Sequence, residues 1–236
     1  QAADVVVTDD RIETITAAIA EGRAMWASVR DAIAMLLGGN IGEVAFTVGG
    51  GLFLPGGSPL NARQLLLVNL LTDMVPSLAL AVRRPRAATA DVLLREGPDV
   101  SLGAVLTRDI MIRGGLTAAA GLAAWTGGAI TGVSPRRAGT VALVGLVGAQ
   151  LGQTLAAGWR SPLVVGASVG SAAVLAAVIQ TPGVSHFFGC RPLGPVGWSI
   201  GLSAAAAAGL GAPVASRIAD RVVAAGPQRG GFSERG

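Results

Sequence analysis

Apolar residues gather into six long runs, broken by short stretches rich in Pro, Gly and Arg. A helix needs about 20 apolar residues to cross a bilayer. The runs at 32–54, 60–82, 108–131, 138–158, 162–180 and 196–214 meet that length. The sixth is the weakest, because its Ala-rich centre is only mildly apolar. Ahead of the first run, Val5, Val6 and Val7 lie between Asp4 and Thr8-Asp9-Asp10, the pattern of a short buried strand leading into a capping turn. Ile12, Ile15, Ile19, Trp26 and Val29 then recur at helical spacing, with charged residues between them. This predicts an amphipathic helix that meets no proline before the first run. A lone strand and helix cannot bury a core. They read as the end of a larger α/β domain, and a start without Met fits a processed or partial chain.

Composition agrees with a membrane bundle. The 236 residues are 51% hydrophobic and only 14% charged, with a mean hydropathy of +0.60. A soluble domain carries about 25% charged residues. All 18 basic residues are Arg and Tyr is absent, which reads as a bias of genome composition. The Arg residues are scattered between apolar runs, so the net charge of +4 predicts no nucleic-acid partner. Cys190 and His186 are the single residues of their kinds, lie in a loop, and form no disulfide or metal motif.

Arg placement predicts orientation. Arg83, Arg84, Arg86, Arg95 and Arg108 crowd the segment between the second and third runs. The N-terminal helix and the tail 215–236 are also Arg-rich. The opposite loops carry Arg63, Arg136, Arg137 and Arg191. The balance puts both termini in the cytoplasm of a multi-pass cell-membrane protein, with lipid as its surroundings. The last ten residues, PQRGGFSERG, read as a disordered tail.

The chemistry lies in polar residues inside the runs. Glu43 sits in the first and Asp73 in the second. A carboxylate at the bilayer centre costs roughly 2.5–3.5 kcal/mol on insertion scales, and such residues mark function by default. Asn40 shares a helix face with Glu43, while Asn69, Thr72 and Asp73 share another. Together they offer an all-oxygen ligand set, suited to hard cations such as Ca²⁺, Mg²⁺, Mn²⁺, Na⁺ or K⁺. Pro76 has no N–H, which frees the carbonyl of Thr72 as a further candidate ligand. Gln150 and Gln153, on one face of the fourth run, are candidate contributors, though glutamines also join helices. Asp109 and Arg113 read as a local ion pair. Gly38 and Gly42 read as a close-packing face.

These residues carry a family resemblance. AADVVVTDDRIETITAAIAEGRAMWASVRDAI followed by NIGEV resembles the end of the HAD-like phosphorylation domain of type II P-type cation-transporting ATPases, with its stalk and fifth membrane helix. NLLTDMVPSLAL resembles their sixth helix, DVLLREGP the loop after it, and LVGAQLGQTL the eighth helix of bacterial, actinobacterial-like members. The resemblance implies an all-α membrane protein: six transmembrane helices behind a strand–helix remnant at 1–31. It implies cation ligands at Asn40, Glu43, Asn69, Thr72 and Asp73. The family's D-K-T-G-T, T-G-E, G-D-G-x-x-N-D and P-E-G-L motifs do not occur in this sequence. Mg-ATP binding and phosphorylation are therefore expected in domains outside this chain, and the chain alone is expected not to be catalytic. A non-catalytic membrane module from a split or truncated gene is the alternative. A small secondary transporter would need an inverted repeat, and the acids lie only in the first two runs.

Overall fold

The computed structural model describes residues 11–54, 58–83 and 103–225. Within them the protein is all helix. Helix α1 runs from Ile12 to Phe53 without interruption. The amphipathic stretch and the first apolar run are thus one 42-residue rod, as the absence of Pro between them predicts. The strand expected at Val5–Val7 lies outside the described residues, as does the tail PQRGGFSERG.

Helix α2 (Ala62–Asn69) continues through a π-helical turn, Leu70–Met74, into α3 (Val75–Ala81). Its start is fixed by a reciprocal cap. Asn61 Oδ1 accepts from Gln64 N at 2.9 Å, and Gln64 Oε1 accepts from Asn61 N at 3.0 Å. Helices α4 (Ala104–Ile130), α5 (Pro135–Gly158) and α6 (Pro162–Gln180) follow. A one-turn helix, α7 (Val184–Phe188), comes before α8 (Pro195–Ala225). Sequence periodicity missed α7, which is too short to show any. It also ended the last span at residue 214, whereas α8 continues through Pro213 to Ala225, so the first part of the supposed tail is helical.

Among the described residues, five helical segments are long and apolar enough to cross a membrane: α1, the α2–α3 rod, α5, α6 and α8. Helix α4, with Arg108, Asp109 and Arg113 in its first turns, is long but more polar.

Helix α5 is the axis of the bundle. Val141, Leu143, Val144, Leu146 and Val147 are at most 1% exposed. Helices α4 and α8 lie against it, α1 lies on α4, and α3 wedges between α1 and α6. Glycine brings these backbones together. A Cβ at Gly42 would meet Thr117 Cβ at 2.7 Å and the Gly114 carbonyl at 2.8 Å, and one at Gly38 would meet Arg113 Cβ at 2.8 Å. The Gly38/Gly42 stripe is the packing face that its spacing predicts. Leu60, Leu67, Val68, Leu175, Ile179 and Cys190 close the core at the end far from Ile12. Cys190 lies in a loop, as expected, but its side chain is buried in the core.

At the Ile12 side, Arg83 follows α3 and joins three helices. Its Nη2 lies 2.5 Å from Asp31 Oδ2 on α1, its Nε donates to Ser28 Oγ at 3.5 Å, and its Nη1 donates to the Ala157 carbonyl on α5. That carbonyl is in the last turn of α5, where a cation is favoured. The local pair expected between Asp109 and Arg113 does not form. Asp109 lies 3.6 Å from Arg108, and Arg113 reaches across to Met35 Sδ.

Candidate cation site

Glu43 points into the bundle and is 4% exposed. Gln150, one of the few polar residues of α5, donates its Nε2 to Glu43 Oε1 at 2.8 Å. Gly39 makes this possible. A Cβ there would stand 2.5 Å from Gln150 Oε1, so any side chain would displace the amide from α1. One turn before Glu43, Asn40 lies beside Asp73 across the contact between α1 and the π-helical turn. The two carboxylates lie close enough to feel each other's charge.

Asp73 projects from the π-helical turn, which widens the helix by one residue at this point. Beside it, the buried Thr72 hydroxyl lies 3.0 Å from the Val68 carbonyl and 3.1 Å from Asp73 Oδ1, and donates to one of them at a time. Asn69 is one turn earlier, and its Oδ1 is buried without a hydrogen-bond partner. Buried carbonyl oxygens are seldom left so.

The carbonyl of Thr72, expected to be free behind Pro76, accepts from Ser77 Oγ at 3.1 Å. Proline removes the helical donor, and a hydroxyl one residue on replaces it. In this conformation the carbonyl is a partnered group held beside the site.

The structure thus links Asn40, Glu43, Thr72 and Asp73, with Asn69 adjacent on the same rod. It separates the two glutamines. Gln150 serves Glu43, whereas Gln153 Nε2 donates to Thr117 Oγ1 at 3.2 Å and to the Arg113 carbonyl at 3.4 Å, toward α4. Thr47 was missed by sequence reasoning. It sits one turn beyond Glu43, and its Oγ1 is also buried and unpartnered. The i, i+4 spacing from Glu43 is the signal that would have found it. No group of three or more His, Cys, Asp or Glu side chains converges among the described residues. A cation here would depend on amide and hydroxyl oxygens as much as on the two carboxylates, which suits a hard ion and not a soft one.

The sequence profile of the family described as "Cation transporting ATPase, C-terminus" matches residues 57–214, the stretch that contains Asn69, Thr72 and Asp73. The chain belongs to the cation-transporting P-type ATPases, as their C-terminal membrane region. Among its relatives, a probable cation-transporting ATPase I of Mycobacterium leprae is 47% identical over 88% of this chain. Calcium-transporting ATPase 1 of Lactococcus lactis is 30% identical over 66% of it. A P-type sodium-transporting ATPase4 of Toxoplasma gondii is 34% identical over 49% of it. The chain spans about 14% of the length of the mycobacterial ATPase and 17% of the Lactococcus one.

Proposed function

We propose that this chain is the cation-carrying membrane unit of an ATP-driven pump, and that Asn40, Glu43, Asn69, Thr72 and Asp73 hold the transported ion. One observation carries the reading: the buried Glu43 carboxylate, held by the Gln150 amide, lies within electrostatic reach of Asp73, and Asn69 and Thr47, one turn from Asp73 and Glu43 on their own helices, each keep a buried oxygen without a partner. Burying that set costs stability unless something positive occupies it. Gln150 acts as a positioning residue for Glu43. A hard cation is the substrate. The calcium and sodium in the relatives' names fall within that class.

All six long segments cross the membrane in this proposal, α4 included. Its 27 residues rise about 40 Å, enough to span with its charged first turns outside the hydrocarbon. Both termini face the cytoplasm, by the Arg balance already given. Mg-ATP acts in domains beyond these 236 residues, which pass movement to the first half of α1. Because α1 is unbroken, displacement of its Ile12 end moves Asn40 and Glu43 directly. This meets the requirement that driver and site share one two-state element.

The test is ATPase activity of the full-length protein with Ca²⁺, Mn²⁺, Mg²⁺, Na⁺ or K⁺ titrated in turn, for the native protein and for Asp73→Asn. One cation should activate the native protein saturably, and the substitution should abolish or strongly weaken that activation. Unchanged activation in Asp73→Asn would overturn the site.

A further inference from the structure

A second polar site lies at the other end of the bundle from Ile12. The 58–61 turn, the start of α5 and the α7–α8 loop enclose a cavity of about 380 Å³. Its lining includes Arg136, His186 and Arg191, with Ser58, Asn61 and Trp125. None of the ion pairs among the described residues involves Arg136 or Arg191. The sequence explains why. It has no Asp or Glu between Glu43 and Asp73, and none between Asp109 and Asp220. Every segment that builds this end of the protein therefore lacks a carboxylate, while Arg63, Arg136, Arg137 and Arg191 all lie there.

The cavity walls are fixed. Arg191 N donates to Thr140 Oγ1 at 3.0 Å, and Cys190 N donates to the Ser185 carbonyl at 2.7 Å. Arg191 Nη1 lies 3.2 Å from His186 Nε2, so the guanidinium donates to the ring and lies beside it. Asn61 Nδ2 and Arg63 Nη1 donate to the carbonyls of Phe188 and Phe187, tying α7 to the start of α2. Arg63 is spent in that tie and stacks on Phe187. Arg136 differs. It is exposed, and it stands in the first turn of α5, where the helix dipole disfavours a positive charge. A placement that breaks a local rule with no compensating partner marks a functional position. An anion in the cavity would supply the counter-charge that no carboxylate gives Arg136 or Arg191.

We propose that this cavity binds a phosphate group, mono- or diester, between the guanidinium groups of Arg136 and Arg191. Guanidinium forks match phosphate oxygens in geometry and charge, and the Ser58 hydroxyl and Asn61 amide are further donors on the lining. The site is separate from the cation site and does not depend on it.

The test uses the full-length protein in zwitterionic detergent, with two probes: inorganic phosphate followed by calorimetry, and phosphatidylglycerol followed by native mass spectrometry against phosphatidylcholine. The variants are Arg136→Gln and Arg191→Gln, with Arg191→Lys to keep the charge. Arg160→Gln, whose guanidinium stacks on Trp159 away from the cavity, is the control. At least one probe should bind saturably, and each Gln variant should weaken it by about tenfold or more. Arg160→Gln should match the native protein, and Arg191→Lys should fall between native and Arg191→Gln. Binding of the lipid but not of inorganic phosphate would assign the site to a headgroup, and the reverse would assign it to a soluble phosphate. Absence of saturable binding by both probes, or binding that survives both Gln substitutions in proteins that elute as native on size exclusion, would overturn the proposal.

Discussion

Gln150 donates to Glu43 across 107 residues of sequence, in a 2.8 Å hydrogen bond between α5 and α1. The bond is buried on both sides and depends on Gly39 having no side chain. Its partner in sequence, Gln153, turns the other way and serves α4. The difference makes a paired prediction. Gln150→Leu leaves a buried carboxylate without its donor, and a hydrogen bond to a charged group contributes about 1.5–3 kcal/mol. Half-activation by the transported cation should then need about tenfold more ion or higher. Gln153→Leu should lower thermal stability by about 1 kcal/mol and leave cation activation as it was. A cation titration of ATPase activity on both variants checks this.

Ser77 should prove a structural partner of the proline break. Ser77→Ala removes the hydroxyl that the Thr72 carbonyl accepts from. An unsatisfied buried carbonyl costs about 1–3 kcal/mol. Adding Pro76→Ala restores a backbone N–H at position 76, within helical reach of Thr72, and should recover part of that loss. Thermal unfolding in detergent measures both. Equal stability of the single and double variants would show that the hydroxyl is not the donor that matters.

The glycines of α1 should divide by what faces them. Gly42→Val would drive side-chain atoms against the Gly114 carbonyl, a backbone atom that cannot move aside. Overpacking of this kind costs about 1–3 kcal/mol and should loosen α1 from α4. A Cβ at Gly49 meets nothing within 4 Å, so Gly49→Ala should be neutral or stabilising by up to about 1 kcal/mol. Unfolding midpoints of the two variants in one detergent test the contrast.

Arg83 and Asp31 should be energetically coupled. Their ion pair joins the end of α3 to α1, and the Arg83 side chain is 11% exposed. A double-mutant cycle with Arg83→Met and Asp31→Asn should give an interaction energy of about 0.5–3 kcal/mol. A value near zero would mean that the contacts to Ser28 and Ala157 carry the clamp alone.

The existence of the long helices was legible because each apolar run is a local property of the chain, although the run at 196–214 understated the length of α8. The continuity of α1 followed from the lack of proline between Ile12 and Phe53, and a close-packing face on α1 from the spacing of Gly38 and Gly42, although only the structure shows that α4 is what packs there. The candidate site residues stood out for a similar reason: Glu43 and Asp73 are expensive where they stand, so their presence in an apolar run is a signal in itself. Helix α7 had no such signal. Five residues are less than one and a half turns, and no periodicity can accumulate over them.

Pairing between distant segments was decided only in the folded chain. Sequence put Gln150 and Gln153 on one face of α5, yet the groove between α1 and α4 sends one amide to Glu43 and the other to Thr117. Pro76 announced a freed carbonyl, and only the folded chain shows that the Ser77 hydroxyl donates to it. Arg113 sat one turn from Asp109 but found Met35 on another helix. A sequence shows which groups need partners, since that need is a property of each residue and its local solvent. Which partner each group gets depends on helix rotation and contact distance, and those are set by how all the helices pack at once.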